Sequence, residues 1–76
     1  MTGAIKGNEL TYSIANLPEG ARLIAARFDG DRMTDVKMVE NPGASGKVDL
    51  NGSGTEYKLF LVDGSTCKPL CAVWKT

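Results

Sequence analysis

Three aspartates close together, Asp29, Asp31 and Asp35, form the one cluster whose chemistry would be cation binding. An EF-hand loop starting at Asp29 needs an oxygen ligand at its fifth position and a Glu at its twelfth. Those positions hold Met33 and Glu40, so only the last matches, and the simpler reading is a solvated hairpin with acidic flanks. Cys67 and Cys71 are the second pair that could do chemistry. In an extended strand they stand about 13 Å apart, at roughly 3.3 Å per residue, whereas a disulfide needs Cα atoms about 4.4–6.8 Å apart. A bridge requires Lys68-Pro69 to fold back as a turn. Otherwise the two are small apolar side chains, at least one of them in the core. The chain has no histidine and no third thiol, so a zinc site lacks ligands and a Ser-His-Asp or Cys-His arrangement cannot form. Glycosidic cleavage needs two carboxylates about 5–9.5 Å apart across a cleft, and the acids here fall on turns of a chain too short to build one. The expectation is no enzyme, no metal and no cofactor. Asn51-Gly52-Ser53 fits the glycosylation acceptor pattern, but Asn-Gly is first of all a turn signal.

Size and charge set further bounds. The 76 residues make one domain, and a chain of this length buries only about 60% of the surface its unfolded form exposes. Formal net charge is zero and the basic residues do not cluster, so nucleic acid, which is bound through Lys and Arg on phosphates, is not an expected partner. No apolar run approaches the roughly 18 residues of a membrane span. Met1-Thr2-Gly3 lacks the apolar region of a signal peptide, which leaves a cytoplasmic protein or a piece of a longer exported chain.

The elements that would position any site are strands. Turn signals recur at a regular beat: Pro18-Glu19-Gly20, Asp29-Gly30-Asp31, Asn41-Pro42-Gly43, Asn51-Gly52-Ser53-Gly54 and Asp63-Gly64-Ser65. Short strands at such spacing indicate an all-β sandwich or barrel. The runs between them read as strands over Leu10–Asn16, Ala21–Asp29, Thr34–Glu40, Lys47–Leu50, Glu56–Val62 and Pro69–Trp74. Ala21–Arg27 also has helix-forming residues, but it is short and lies between a Pro-x-Gly turn and Asp29-Gly30, a strong hairpin cue. Residues 1–9 read as a lead-in with a short first strand around Ala4–Lys6, and residues 10–76 as a single β-sandwich domain. Alternation predicts a core of Leu10, Tyr12, Ile14, Ile24, Ala26, Phe28, Val36, Met38, Val48, Leu50, Tyr57, Leu59, Leu61 and Cys71. The parity of the last strand stays open between Leu70-Ala72-Trp74 and Cys71-Val73.

Glu56–Cys71 is the densest strand signal of the chain. If Tyr57, Leu59 and Leu61 face the core, Phe60 and Val62 point outward beside Lys58. An outward apolar pair is costly in water unless something covers it. Lys58, Phe60, Val62 and Trp74 are therefore the candidate interaction surface. Glycan stacking is a weaker reading, since inward parity of Tyr12, Phe28 and Tyr57 leaves only Phe60 and Trp74 as free rings.

Leu23-Ile24-Ala25-Ala26-Arg27-Phe28-Asp29-Gly30 with Val36-Lys37, and Tyr57-Lys58-Leu59-Phe60-Leu61-Val62-Asp63 with Lys68-Pro69-Leu70-Cys71, resemble a pattern in small C-terminal β modules. These modules belong to large surface and secreted proteins of Gram-positive bacteria, often glycosidases or adhesin-like chains. The resemblance spans roughly Leu10 to Cys71. The chain departs from it at Val62, where an aromatic is frequent, and at Cys67, where a bulkier apolar residue is frequent. It implies an all-β, immunoglobulin-like or fibronectin-III-like sandwich of six to seven antiparallel strands, extracellular or at the cell surface within a longer exported chain. The partners it implies are adjacent domains of the same polypeptide, with a glycan or protein ligand as the alternative. It implies no defined activity, and a fold-level likeness licenses none.

Overall fold

The computed structural model describes residues 1–76. The chain forms seven strands and no helix: β1 (Thr2–Lys6), β2 (Glu9–Ser13), β3 (Ala21–Asp29), β4 (Arg32–Val39), β5 (Ser45–Asp49), β6 (Glu56–Asp63) and β7 (Trp74–Lys75). They build two antiparallel sheets, one ordered β1-β2-β5 and the other β4-β3-β6-β7. With no helix there is none long and apolar enough to cross a membrane.

Both sheets turn one apolar face toward a shared core. From the three-stranded sheet come Leu10, Tyr12 and Val48, with Ile14 and Leu50 just past the strand ends. From the four-stranded sheet come Ala21, Leu23, Ala25, Tyr57, Leu59 and Leu61. The inward parities expected for β2, β5 and β6 are the observed ones. The first strand begins at Thr2 and pairs with β2 along its whole length, from Thr2 opposite Ser13 to Lys6 opposite Glu9. Residues 1–9 are thus largely part of the sheet rather than a loose lead-in.

Three expectations need correction. On β3 the side chains in the shared core are Ala21, Leu23 and Ala25; Ile24, Ala26 and Phe28 lie on the opposite face, where Ala26 is fully buried as expected but Ile24 and Phe28 are only partly so. Both faces of this strand are apolar, so alternation alone does not choose between them. The misleading residue is Arg27, which shares the inward parity of Leu23 and Ala25 but sits at the end of the core, where its charge is fully engaged. Its guanidinium donates to the carbonyls of Gly54 (3.0 Å) and Leu50 (2.9 Å) and to Asn8 Oδ1 (2.8 Å), and lies over the Tyr57 ring at 5.1 Å.

The error on β4 follows from the first. Residues opposite each other in an antiparallel pair share a face. With Leu23 inward its partner Val39 also turns inward, and Met38 and Val36, opposite Ile24 and Ala26, turn outward. They are 53% and 49% exposed, not core. A bulge between Arg27 and Phe28 shifts the register so that Met33, opposite Phe28, joins the same outer face. The extra residue, Thr34, spends its hydroxyl on the Ser53 carbonyl (2.8 Å).

The third correction is at the end of the chain. Pro69 makes only an isolated bridge to Val62, and regular pairing returns at Trp74 and Lys75. Cys67 and Cys71 are both free and both exposed, so Cys71 is not in the core. Trp74, opposite Leu59, turns inward and packs against the core and over Gly3 of β1. A Cβ on Gly3 would stand 2.9 Å from the indole, so glycine is what lets the ring close the seam between β1 and β7.

Candidate functional site

The outer face of the four-stranded sheet is built from three strands. β4 contributes Met33, Val36 and Met38, β3 contributes Ile24, Ala26 and Phe28, and β6 contributes Lys58, Phe60 and Val62. Register aligns them in rows: Met38–Ile24–Phe60, Val36–Ala26–Lys58, and Met33–Phe28. Lys58 lies with its ammonium 4.6 Å from the Phe28 ring centre, a cation–π contact that covers part of the aromatic surface. The three β4 residues are half exposed, while Ile24, Phe28 and Phe60 are partly buried by their neighbours.

Of the four side chains expected to form an interaction surface, this face holds Lys58, Phe60 and Val62. Val62 has outward parity, but between Arg22 and Pro69 it keeps only 8% of its surface and offers little to a partner. Trp74 faces the core and is only partly exposed, away from this face. Met33, Val36 and Met38 were missed. The signal for them was present: once β6 sends Phe60 outward, any strand joined to it through β3 must present its own matching parity on that side.

The acidic cluster resolves into separate structural roles. Asp29 accepts from Ser53 Oγ (3.1 Å), and Asp35 accepts from the amides of Val36 (2.9 Å) and Asn51 (2.8 Å). No three His, Cys, Asp or Glu side chains are gathered closely enough to hold a metal ion. One shallow polar cleft lies at the end of the molecule where the β2–β3, β4–β5 and β6–β7 connections meet. It measures about 270 Å³ and is lined by Gly20, Arg22, Glu40, Asn41, Gly64 and Ser65. With no apolar wall and no ring, it lacks the enclosed apolar lining of a ligand pocket.

Beside that cleft, Asp63 ends β6 in a tight turn. Its Oδ1 accepts from the amides of Ser65 (2.8 Å) and Thr66 (3.1 Å), and these bonds hold its carboxyl below its ordinary value, Ser65 contributing most. A carboxylate with a depressed folded-state value stabilises the fold above the unfolded value and loses that contribution as pH falls through the folded one. Acid titration of the wild type followed by circular dichroism should therefore show a stability loss below the ordinary carboxylate range. In Asp63→Ala this part of the loss should be absent, and identical acid profiles of the two proteins would remove the turn from the account.

No protein-family model, curated protein or solved structure matches the chain. The reading of the site thus stands on its geometry.

Proposed function

We propose that this chain is a non-catalytic accessory domain that docks through the outer face of its four-stranded sheet. One observation carries the reading: Met33, Val36 and Met38 are each about half exposed on the outer face, Met38 in register with Ile24 and Phe60, Met33 with Phe28, and Val36 with the buried Ala26. These side chains are contiguous rather than scattered singly, and together they form a patch of the size that an ordinary monomer's largest one has. The architecture we propose is an immunoglobulin-like sandwich. In such folds the third, sixth and seventh strands share one sheet and the first, second and fifth share the other; the sheets β1-β2-β5 and β4-β3-β6-β7 support that reading for six strands, while β4 sits beside β3 rather than in the sheet of β5.

Size argues for a tethered partner. Three strands about 4.8 Å apart and five residues at about 3.3 Å give a face of about 14 by 17 Å, or about 240 Å². A separate, stable protein complex takes about 800 Å² per partner. A neighbouring domain of the same polypeptide is bound at high effective concentration and needs less contact. The occupant we propose is therefore an adjacent domain of a longer chain, and the resemblance to modules of exported bacterial proteins favours an extracellular setting. Glycan binding is less well supported, because Tyr12, Tyr57 and Trp74 point into the core and Lys58 lies over Phe28.

The test is a photo-crosslinking residue placed at Met38 in the protein as its native host makes it, with Thr11 on the three-stranded sheet as control. The expected product is a crosslink within one polypeptide, found by peptide mass spectrometry at Met38 and not at Thr11. Val36→Lys should abolish it while leaving the melting temperature of the domain nearly unchanged. Reaction with water alone at Met38, or equal products at both positions, would overturn the docking face. A crosslink to a separate protein would overturn the tethered occupant.

A further inference from the structure

We infer that Asp35 closes the free edge of the four-stranded sheet to strand addition, and that a second copy of this chain is the strand it keeps out. β4 is the outermost strand of that sheet, with eight residues the longest of the four edge strands. A long edge strand is a template for pairing unless something blunts it.

The ladder shows which of its groups are open. Leu61 O accepts from Leu70 N and Tyr57 O from Thr76 N, so odd residues of β6 bond toward β7 and even ones toward β3. Even residues of β3 therefore bond toward β6, and odd ones toward β4. Ala25 bonds Lys37 and Leu23 bonds Val39, which leaves the amides of Val36 and Met38 pointing off the sheet. One of the two is occupied, since Val36 N donates to Asp35 Oδ1 at 2.9 Å. The other oxygen of the same carboxylate accepts from Asn51 N at 2.8 Å. Asp35 is thereby anchored to the segment after β5 and is held where an incoming carbonyl would bind.

A second copy fits the edge that Asp35 covers. Antiparallel pairing centred on Val36 places Val36 opposite Val36, residue 35 opposite Lys37, and Thr34 opposite Met38. No like charges meet at these positions, and the two outer apolar faces become continuous. Such a pairing is two-fold symmetric and closes at a dimer. In the wild type the Asp35 carboxylate competes locally for the central amide.

The experiment is sedimentation velocity of the isolated chain across a concentration series. We expect the wild type to stay monomeric and Asp35→Ala to shift toward twice the mass as concentration rises. Val36→Pro added to Asp35→Ala removes the open amide without touching the β3 ladder, a position where an edge strand tolerates proline, and should restore the monomer. A dimeric wild type, a monomeric Asp35→Ala or a dimeric double variant would each overturn the inference. Hydrogen exchange of the wild type gives an independent reading should Asp35→Ala not fold: the Val36 amide should exchange more slowly than the Met38 amide, and equal rates would overturn it. The readout is self-association of the isolated chain, so its failure leaves the docking face untouched, as failure of the crosslink leaves the edge untouched.

Discussion

Replacing Leu59 by Ala should bring the domain to the edge of unfolding. Leu59 is fully buried at the centre of β6, paired with Ala25 of β3 on one side and Trp74 of β7 on the other. It shares the core with Leu10, Leu23 and Leu50, all equally inaccessible, so the removed methyl groups leave a cavity that small neighbours such as Ala25 cannot fill. Leu→Ala at such sites costs about 2–5 kcal/mol. A chain of this length has about 4–11 kcal/mol in total, at roughly 0.05–0.15 kcal/mol per residue. Thermal denaturation should show a fall of about 8–40 °C, since each kcal/mol moves a domain of this size by about 4–8 °C. Met38→Ala is the paired control. Its side chain is half exposed on the outer face, and a change within about 0.5 kcal/mol is expected there. Equal losses at the two positions would mean that the inner and outer faces of the sheet are wrongly assigned.

That assignment is where sequence reading succeeds and fails for identifiable reasons. β6 is legible because Tyr57, Leu59 and Leu61 alternate with Lys58, whose charge marks the other face. β2 is legible because Leu10, Tyr12 and Ile14 alternate with Thr11 and Ser13. β3 offers no such contrast: Leu23-Ile24-Ala25-Ala26 is apolar on both faces, and the one charge that breaks the run, Arg27, points inward at the mouth of the core. Its neighbours in space are Asn8, Leu50, Gly54 and Tyr57, drawn from two parts of the chain about 20 and 25–30 residues away. No local pattern announces such a constellation. The misplacement of Val36 and Met38 then follows through register, and with it the candidate site centred on β6 extends to β4 and loses Trp74. The aspartates illustrate the converse. Their spacing resembles a cation loop, yet Asp29 and Asp35 are each committed to holding the Asn51–Ser53 segment against the β3–β4 hairpin.

That same junction predicts the second large effect. Gly54 precedes β6 with φ of +96°, in the region that side chains rarely adopt. It also lies against the β3–β4 hairpin so closely that a Cβ would stand 2.0 Å from the Phe28 carbonyl oxygen and 2.6 Å from Asp29 Cα. These are backbone atoms at the bulge, which cannot swing aside as a flexible side chain would. Its own carbonyl accepts from Arg27 Nε at 3.0 Å, so displacement of residue 54 also loosens the guanidinium that bonds Leu50 and Asn8. Strain at such a backbone conformation costs about 1–3 kcal/mol and forced overpacking about 1–3 kcal/mol, so Gly54→Ala should lose about 2–6 kcal/mol in urea denaturation. Gly30→Ala separates the two causes. Gly30 has a similarly positive φ of 62° but open space where its Cβ would project, so only the conformational part should appear there. Gly54→Ala should therefore be clearly the more damaging of the two. Equal losses would show that backbone conformation alone sets the cost, and that the β5–β6 connection does not press on the hairpin in solution.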